Sequence, residues 1–491
     1  MKDLKQRTLR GGLAKVCSQG TNFLLRVGSL MILARLLTPK DFGLVGMVTA
    51  VIGIFNVFKD FGLSTATVQR QNVTQEESST LFWINILVGV VLGLVALGLG
   101  PFVAKFYHEP RLVGVTAVLA SGFVFNAAGV QHSALLQRQM RFTTISMIDI
   151  IALFVSTSTG IGMALAGYGY WSLAATTVIT PLVYSIGVWI AAKWIPGRPR
   201  RHTGIGSILR FGGTLTANGI VMYIASNLEK VLLGRFWGVD AIGIYGRAYQ
   251  LINIPTDNLN SSAGEVAFAA LSRVQQQPSK LRSYFLKGYS LVVSLTLPIT
   301  IACALFADSM ILVFLGAKWK EAAPVFRLLA PTTLVFATVN PLGWLLSSLG
   351  LVKRGLKIAL VLAPVMITGY ALGLPYGPKG VALGYSSVML ICVLPLVAWA
   401  VHGTPVHFND IIQTASRPLI SGIVAATVTF AVQRLYEPLL SPLPRLVIGV
   451  TMLMSIYTVM LLYVMGQARF YLDLIRNFTS RSPAEETVVP I

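Results

Sequence analysis

Four stretches of this chain set charged and amide side chains at helical spacing inside otherwise apolar sequence. Lys15, Gln19, Asn22 and Arg26 follow at steps of four, three and four, which puts them on one face of a helix. Thr49, Asn56 and Asp60 follow at steps of seven and four, with Lys59 beside Asp60. Tyr223, Asn227 and Lys230 make a third stripe, and Glu229 adjoins it. The fourth stretch is the most polar, with Arg247, Gln250, Asn253, Asp257, Asn258, Asn260 and Glu265 around Pro255. Polar groups in a membrane helix are costly unless they face a partner or water. Such stripes therefore mark the charged wall of a water-filled cavity. Neighbours on a helix point about 100° apart, so Lys59–Asp60 and Glu229–Lys230 are expected to find partners on other helices. Those partners make either the changeable bridges of a two-state transporter or fixed structural ones.

Catalytic and cofactor signatures are missing where an enzyme needs them. The nearest approach to a phosphate loop, GLVKRGLK from Gly350, has its Lys one place late and no Ser or Thr after it. His108, His132, His202, His402 and His407 show no metal-binding spacing, and Cys17, Cys303 and Cys392 lie in separate apolar spans. No metal, cofactor or enzymatic activity is expected. The net charge of +21 raises nucleic acid as a partner. The charges lie at membrane edges, however, where topology and anionic lipid headgroups account for them, so no nucleic-acid partner is expected.

The elements that hold these stripes must be membrane helices. The chain has 491 residues, 54% hydrophobic and only 12% charged, with a mean hydropathy of +0.71. A crossing helix needs about 20 apolar residues, and fourteen runs qualify: 13–36, 42–64, 80–104, 112–135, 143–166, 169–194, 207–233, 241–268, 283–307, 322–348, 355–375, 379–401, 412–435 and 445–466. Lys15 and Arg26 interrupt the first run, which is expected to be a retained span rather than a cleaved signal. With the N-terminus inside, Lys and Arg favour the inner connectors by about two to one. Both termini are then cytoplasmic.

An internal repeat organises the spans. LARLLTPKDFGLVGMVTA from residue 33 returns as LGRFWGVDAIGIYGRAYQ from residue 233, matching Arg35, Gly43 and Gly46 to Arg235, Gly243 and Gly246. Leu9, Arg10 and Gly12 likewise match Leu209, Arg210 and Gly212. Six helices are thus duplicated in parallel, about an axis along the membrane normal. The expected fold is an all-α integral membrane protein of about 14 transmembrane helices, two six-helix lobes plus two extra C-terminal helices. Residues 1–195 form the N-terminal lobe, 196–206 a basic cytoplasmic linker, 207–403 the C-terminal lobe, 404–466 helices 13 and 14, and 467–491 a cytoplasmic tail. The four polar stretches are the first and second helices of each lobe. The repeated corner joins them, its Gly residues expected to allow a tight turn and its Arg residues to mark the interface or to snorkel to the membrane edge.

ARLLTPKDFGL, FKDFGLSTATVQR followed by TLFWIN, LRFGGTLTANGIVMYIASNLEKVLLGRFWG and FLGAKWKEAAPVFRLL occur in this order. Together they resemble the Wzx-like polysaccharide flippases of the multidrug/oligosaccharidyl-lipid/polysaccharide exporter superfamily, and within it the colanic acid exporter branch. The resemblance implies a transporter in the bacterial inner membrane, moving undecaprenyl-pyrophosphate-linked oligosaccharide for exopolysaccharide, capsule or lipopolysaccharide assembly. The family's cationic cavity would fall on Lys15, Arg26, Lys59, Lys230 and Arg247, with Asn22, Asn56 and Asn253 beside them. Lys stands at three of these five places, a point charge where Arg would offer a bidentate fork. Export against a gradient needs coupling to H+ or Na+, for which Asp60, Glu229, Asp257 and Glu265 are the candidate groups. Other partners are membrane lipids and further polysaccharide assembly proteins. A drug or organic-cation exporter of the same superfamily is the nearest alternative and would want an acidic cavity. A non-transporting membrane component or enzyme of polysaccharide assembly is the alternative from another class.

Overall fold

The computed structural model of the protein describes residues 20–58, 74–199, 220–221, 223–436 and 440–479. All regular structure among them is helical. Lys15, Lys59 and Asp60 lie outside the described residues, as do the side chains of Asp257 and Glu265, whose backbone is helical.

Helix α1 covers residues 20–36. After a two-residue corner, α2 runs Pro39–Ile52 and tightens into a 3₁₀ segment, Gly53–Val57. Then come α3 (Gln75–Tyr107), α4 (Leu112–Arg138), α5 (Phe142–Leu165) and α6 (Tyr170–Ala192). Helix α7, Leu228–Arg273, bends at Gly238, where φ is 81° and ψ is −167°, a conformation that favours glycine. The expected corner falls at this residue, whose non-helical backbone divides the element into two helical segments. Helix α8 (Pro278–Leu305) precedes the short α9 (Ala307–Phe314) and the turn Ala317–Trp319. The chain ends with α10 (Ala322–Ser348), α11 (Val352–Gly373), α12 (Gly377–Val401), α13 (Phe408–Tyr436), α14 (Pro442–Val459) and the amphipathic α15 (Ala468–Thr479). Ten segments among the described residues are long and apolar enough to cross a membrane, one of them holding both α11 and α12. The charge-rich α7 is not one of the ten.

Packing follows small residues, as expected where lipid removes the hydrophobic incentive for helices to associate. Gly89 and Gly93 of α3 press on α4, where a Cβ on Gly89 would come within 2.4 Å of the Ala127 methyl. Helices α4 and α5 both lie on α6, and α7 lies on α10 and α12. Helix α13 packs on α8 and carries α14. The main bridge between the helices before residue 200 and those after 220 is α2 against α7.

Residues 196–199, the start of the expected linker, are tied to the first group of helices. The Trp83 indole donates to the Gly197 carbonyl at 2.8 Å, and the Gly197 amide donates to the Ser79 hydroxyl at 2.9 Å.

Candidate functional site

Helix α2 owes its start to local sequence. Thr38 caps it, with the Thr38 amide donating to the Asp41 carboxylate at 2.9 Å and Pro39 in the first turn. This capping box makes the turn, which leaves Gly43 inside the helix with another task. A Cβ on Gly43 would lie 1.9 Å from the Val239 carbonyl oxygen, and one on Gly243 would lie 2.1 Å from the Pro39 carbonyl oxygen. Gly43 and Gly243 serve close helix contact, where the sequence pattern suggested turns, whereas a Cβ on Gly46 would meet only the Ile242 side chain at 3.9 Å and one on Gly246 nothing within 4 Å. Around them Lys40 faces Asp240 at 3.9 Å.

The repeated arginines reach across the same seam, and do not simply snorkel. Arg35 donates to the Val313 carbonyl at the end of α9, 2.8 Å away, and the Trp319 indole donates to the Ala34 carbonyl at 2.8 Å. In the other direction Arg235 lies 2.8 Å from His108 Nδ1, just past the end of α3, and 5.6 Å from the centre of the Phe106 ring. The two halves are thus joined at the corner end of the bundle.

Beneath this seam three adjoining cavities share Thr49. One of about 580 Å³ is lined by Arg26 of α1, Phe42 and Thr49 of α2, and Lys230, Arg247, Gln250 and Asn253 of α7. A second of about 420 Å³ adds Ser156, Thr176 and Thr180 and shares Arg26, Arg247 and Gln250. A third of about 710 Å³ is lined by Asn56, Asn126, Asp149, Thr177, Thr180, Tyr184 and Tyr223. Such volumes lie within the roughly 300–1,000 Å³ usual for ligand sites.

Of the expected cavity residues, Arg26, Lys230, Arg247 and Asn253 meet in one space and Asn56 lines the adjoining one. Asn22, one turn before Arg26, is half-buried and lies outside these walls. The Arg247 guanidinium stacks on the Phe42 ring at 4.2 Å, a contact between the halves that holds a cation without neutralising it. Lys230 donates to the Asn227 side chain at 2.8 Å and sits 5.0 Å from the centre of the Tyr249 ring.

Glu229 stands beside Lys230 at the start of α7. It is 1% exposed, and neither carboxylate oxygen has a hydrogen-bond partner among the described residues. Among the described residues its one ion pair is with Lys230, the chain neighbour, at 4.0 Å. The flexible lysine stem curls back over the 100° that separates the two side chains. Tyr223, Tyr245, Tyr370 and Tyr385 lie in its electrostatic field.

Asp149 of α5 was missed by stripe analysis, because it stands alone in an apolar span. It is exposed on the cavity wall and feels the charge of Arg26. An isolated intramembrane carboxylate is itself the signal that would have found it. Among the described residues no cluster of three or more His, Cys, Asp or Glu could hold a metal ion.

An all-helical membrane bundle with a polar cavity between two groups of helices defines a membrane transport protein. The family model described as polysaccharide biosynthesis protein matches residues 32–324. The chain belongs to that family, among the Wzx-like polysaccharide flippases of the multidrug/oligosaccharidyl-lipid/polysaccharide exporter superfamily. It is 28% identical over 400 residues to the lipopolysaccharide biosynthesis protein WzxC of Escherichia coli (strain K12), covering 79% of this chain and 80% of that one. It is 23% identical to the succinoglycan biosynthesis transport protein ExoT of Rhizobium meliloti (strain 1021), covering 91% of each. Among solved structures it superposes on the lipid II flippase MurJ in an inward closed conformation. That match has a TM-score of 0.76 and 14% identity, covering 95% of this chain and 100% of the other. An inward-facing multidrug resistance MATE family transporter follows at 0.62 and 15%, covering 80% and 96%.

Proposed function

We propose that this protein flips undecaprenyl-pyrophosphate-linked oligosaccharide repeat units across the bacterial inner membrane for the assembly of exopolysaccharide, capsule or lipopolysaccharide. The observation that carries this reading is the convergence of Arg26, Lys230 and Arg247 on one cavity between the halves. A pyrophosphate and its sugars cannot enter hydrocarbon alone, whereas a wall of cations and amides can hold them while the polyprenyl tail stays in lipid. An organic-cation exporter would place its substrate against three positive side chains, which opposes that alternative.

Alternating access would rock one lobe on the other, with residues 1–195 and 207–403 as the lobes, fourteen helices in all and both termini cytoplasmic. The seam of Gly43 and Gly243 would close the outer side. Glu229, buried without a hydrogen bond among the described residues, needs a proton or a metal cation on it, or a partner in another state, because a bare carboxylate in such a site costs several kcal/mol. That supports Glu229 as the coupling group for H+ or Na+.

Reconstitution into vesicles with a labelled polyprenyl-pyrophosphate oligosaccharide tests the reading. Appearance of label in the opposite leaflet, lost in Arg247→Ala, is the expected result. Equal flipping by protein-free vesicles, or no flipping by well-folded protein under either ion gradient, would sink it.

A further inference from the structure

The cavity of about 710 Å³ is chemically unlike its cationic neighbour, and its hydrogen-bonding potential is one-sided. The hydroxyl of Thr177 donates to the Leu173 carbonyl at 2.9 Å and that of Thr180 to the Thr176 carbonyl at 2.8 Å. The Thr49 hydroxyl donates to the Val45 carbonyl at 2.9 Å, and Tyr223 donates to the Thr49 carbonyl at 2.9 Å. These side chains have spent their only protons on backbone and keep lone pairs free. Asp149 adds a carboxylate with no hydrogen bond among the described residues. Among the described residues the donors on this wall come down to the amides of Asn56 and Asn126 and the hydroxyl of Tyr184, which shares a 2.8 Å hydrogen bond with the Ser133 hydroxyl.

Resting on the flippase reading, we infer that this wall is the sugar subsite of the cavity and selects uncharged, hydroxyl-rich sugars next to the pyrophosphate. A neutral pyranose brings several O–H donors to a surface of acceptors. A uronic acid or a ketal-linked acid brings a carboxylate, which finds few donors on that surface and which Asp149 repels. Each acceptor left unpaired and each like-charge meeting carries a penalty that a neutral ring avoids. The pyrophosphate would lie on Arg26 and Arg247, which border the adjoining cavities.

Gly122 gives a clean way to test the wall. It lines this cavity, and a Cβ built there meets nothing within 4 Å. Gly122→Leu therefore adds bulk to sugar space from a Cβ that itself strikes nothing. Three probes are bound to the purified full-length protein at about pH 8, where a carboxylic acid is ionised: sugar-free polyprenyl pyrophosphate, a neutral disaccharide conjugate, and its counterpart with a uronic acid at the first sugar. Wild type should bind the neutral conjugate about tenfold tighter than the acidic one, and Asp149→Asn should shrink that ratio to about twofold. Gly122→Leu should weaken the neutral conjugate about tenfold and leave the sugar-free lipid unchanged. Failure of the sugar-free lipid to bind wild type would overturn the flippase reading and this one with it. Where it does bind, equal affinity for the two conjugates, or Gly122→Leu leaving the neutral one unaffected, overturns the subsite alone.

Discussion

Gly43 and Gly243 each press a bare Cα against the backbone of the opposite half, Gly43 on the Val239 carbonyl and Gly243 on that of Pro39. No side chain fits at either place without moving α2 from α7. Gly43→Ala should destabilise the closed seam by about 1–3 kcal/mol, the usual cost of overpacking. Spin labels at Lys40 and Asp240, whose side chains lie 3.9 Å apart, should then report a longer distance. An unchanged distance distribution would show that the seam can yield by other means.

The cations of the cavity should separate from those of the seam. Arg247→Ala and Arg26→Ala should abolish export with protein retained in the membrane, since one charged hydrogen bond is worth roughly 1.5–3 kcal/mol, or about ten- to a hundredfold in affinity. Arg35→Ala, which removes a single bond to the Val313 carbonyl, should do much less. Equal loss for all three, or loss of the protein itself, would give Arg26 and Arg247 a structural role.

How far the sequence led can be judged from particular residues. Arg26, Lys230, Arg247 and Asn253 were found because cations and amides repeat at helical steps where lipid forbids them, and they do share one cavity. Asp149 escaped, since a lone residue has no period. The repeat located the seam, yet glycine was taken for a turn because its usual value is conformational freedom. What the pattern could not weigh was the Thr38–Asp41 cap, which already made the turn and freed Gly43 for contact. Glu229 is expected to seek a partner across the cavity; the cations expected there, Lys15 and Lys59, lie outside the described residues.

Glu229→Gln keeps shape and removes charge, so normal abundance and substrate binding are expected with export uncoupled from the ion gradient. Persisting accumulation against a gradient, with unaltered pH and sodium dependence, would remove Glu229 from the mechanism.

Orientation can be read by chemistry. Cysteines at Lys40, Lys105 and Lys379 should react with an impermeant thiol reagent in intact cells, and those at Arg70, Arg201 and Arg354 only after permeabilisation. Reaction at Arg201→Cys in intact cells would reverse the assignment of sides.

The pairing of Lys40 with Asp240 is what a duplication of the kind the sequence repeat suggests would leave behind. Position 39 meets 243 while 43 meets 239, the self-complementary rule of an isologous dimer, in which i touches j and j touches i. A residue near the axis of such a dimer faces its own copy, and a lysine there can only face a lysine. Fusing two copies into one polypeptide lifts that constraint, because each copy then mutates alone. Lysine on one side and aspartate on the other is a solution open to a fused gene and closed to a dimer of identical subunits.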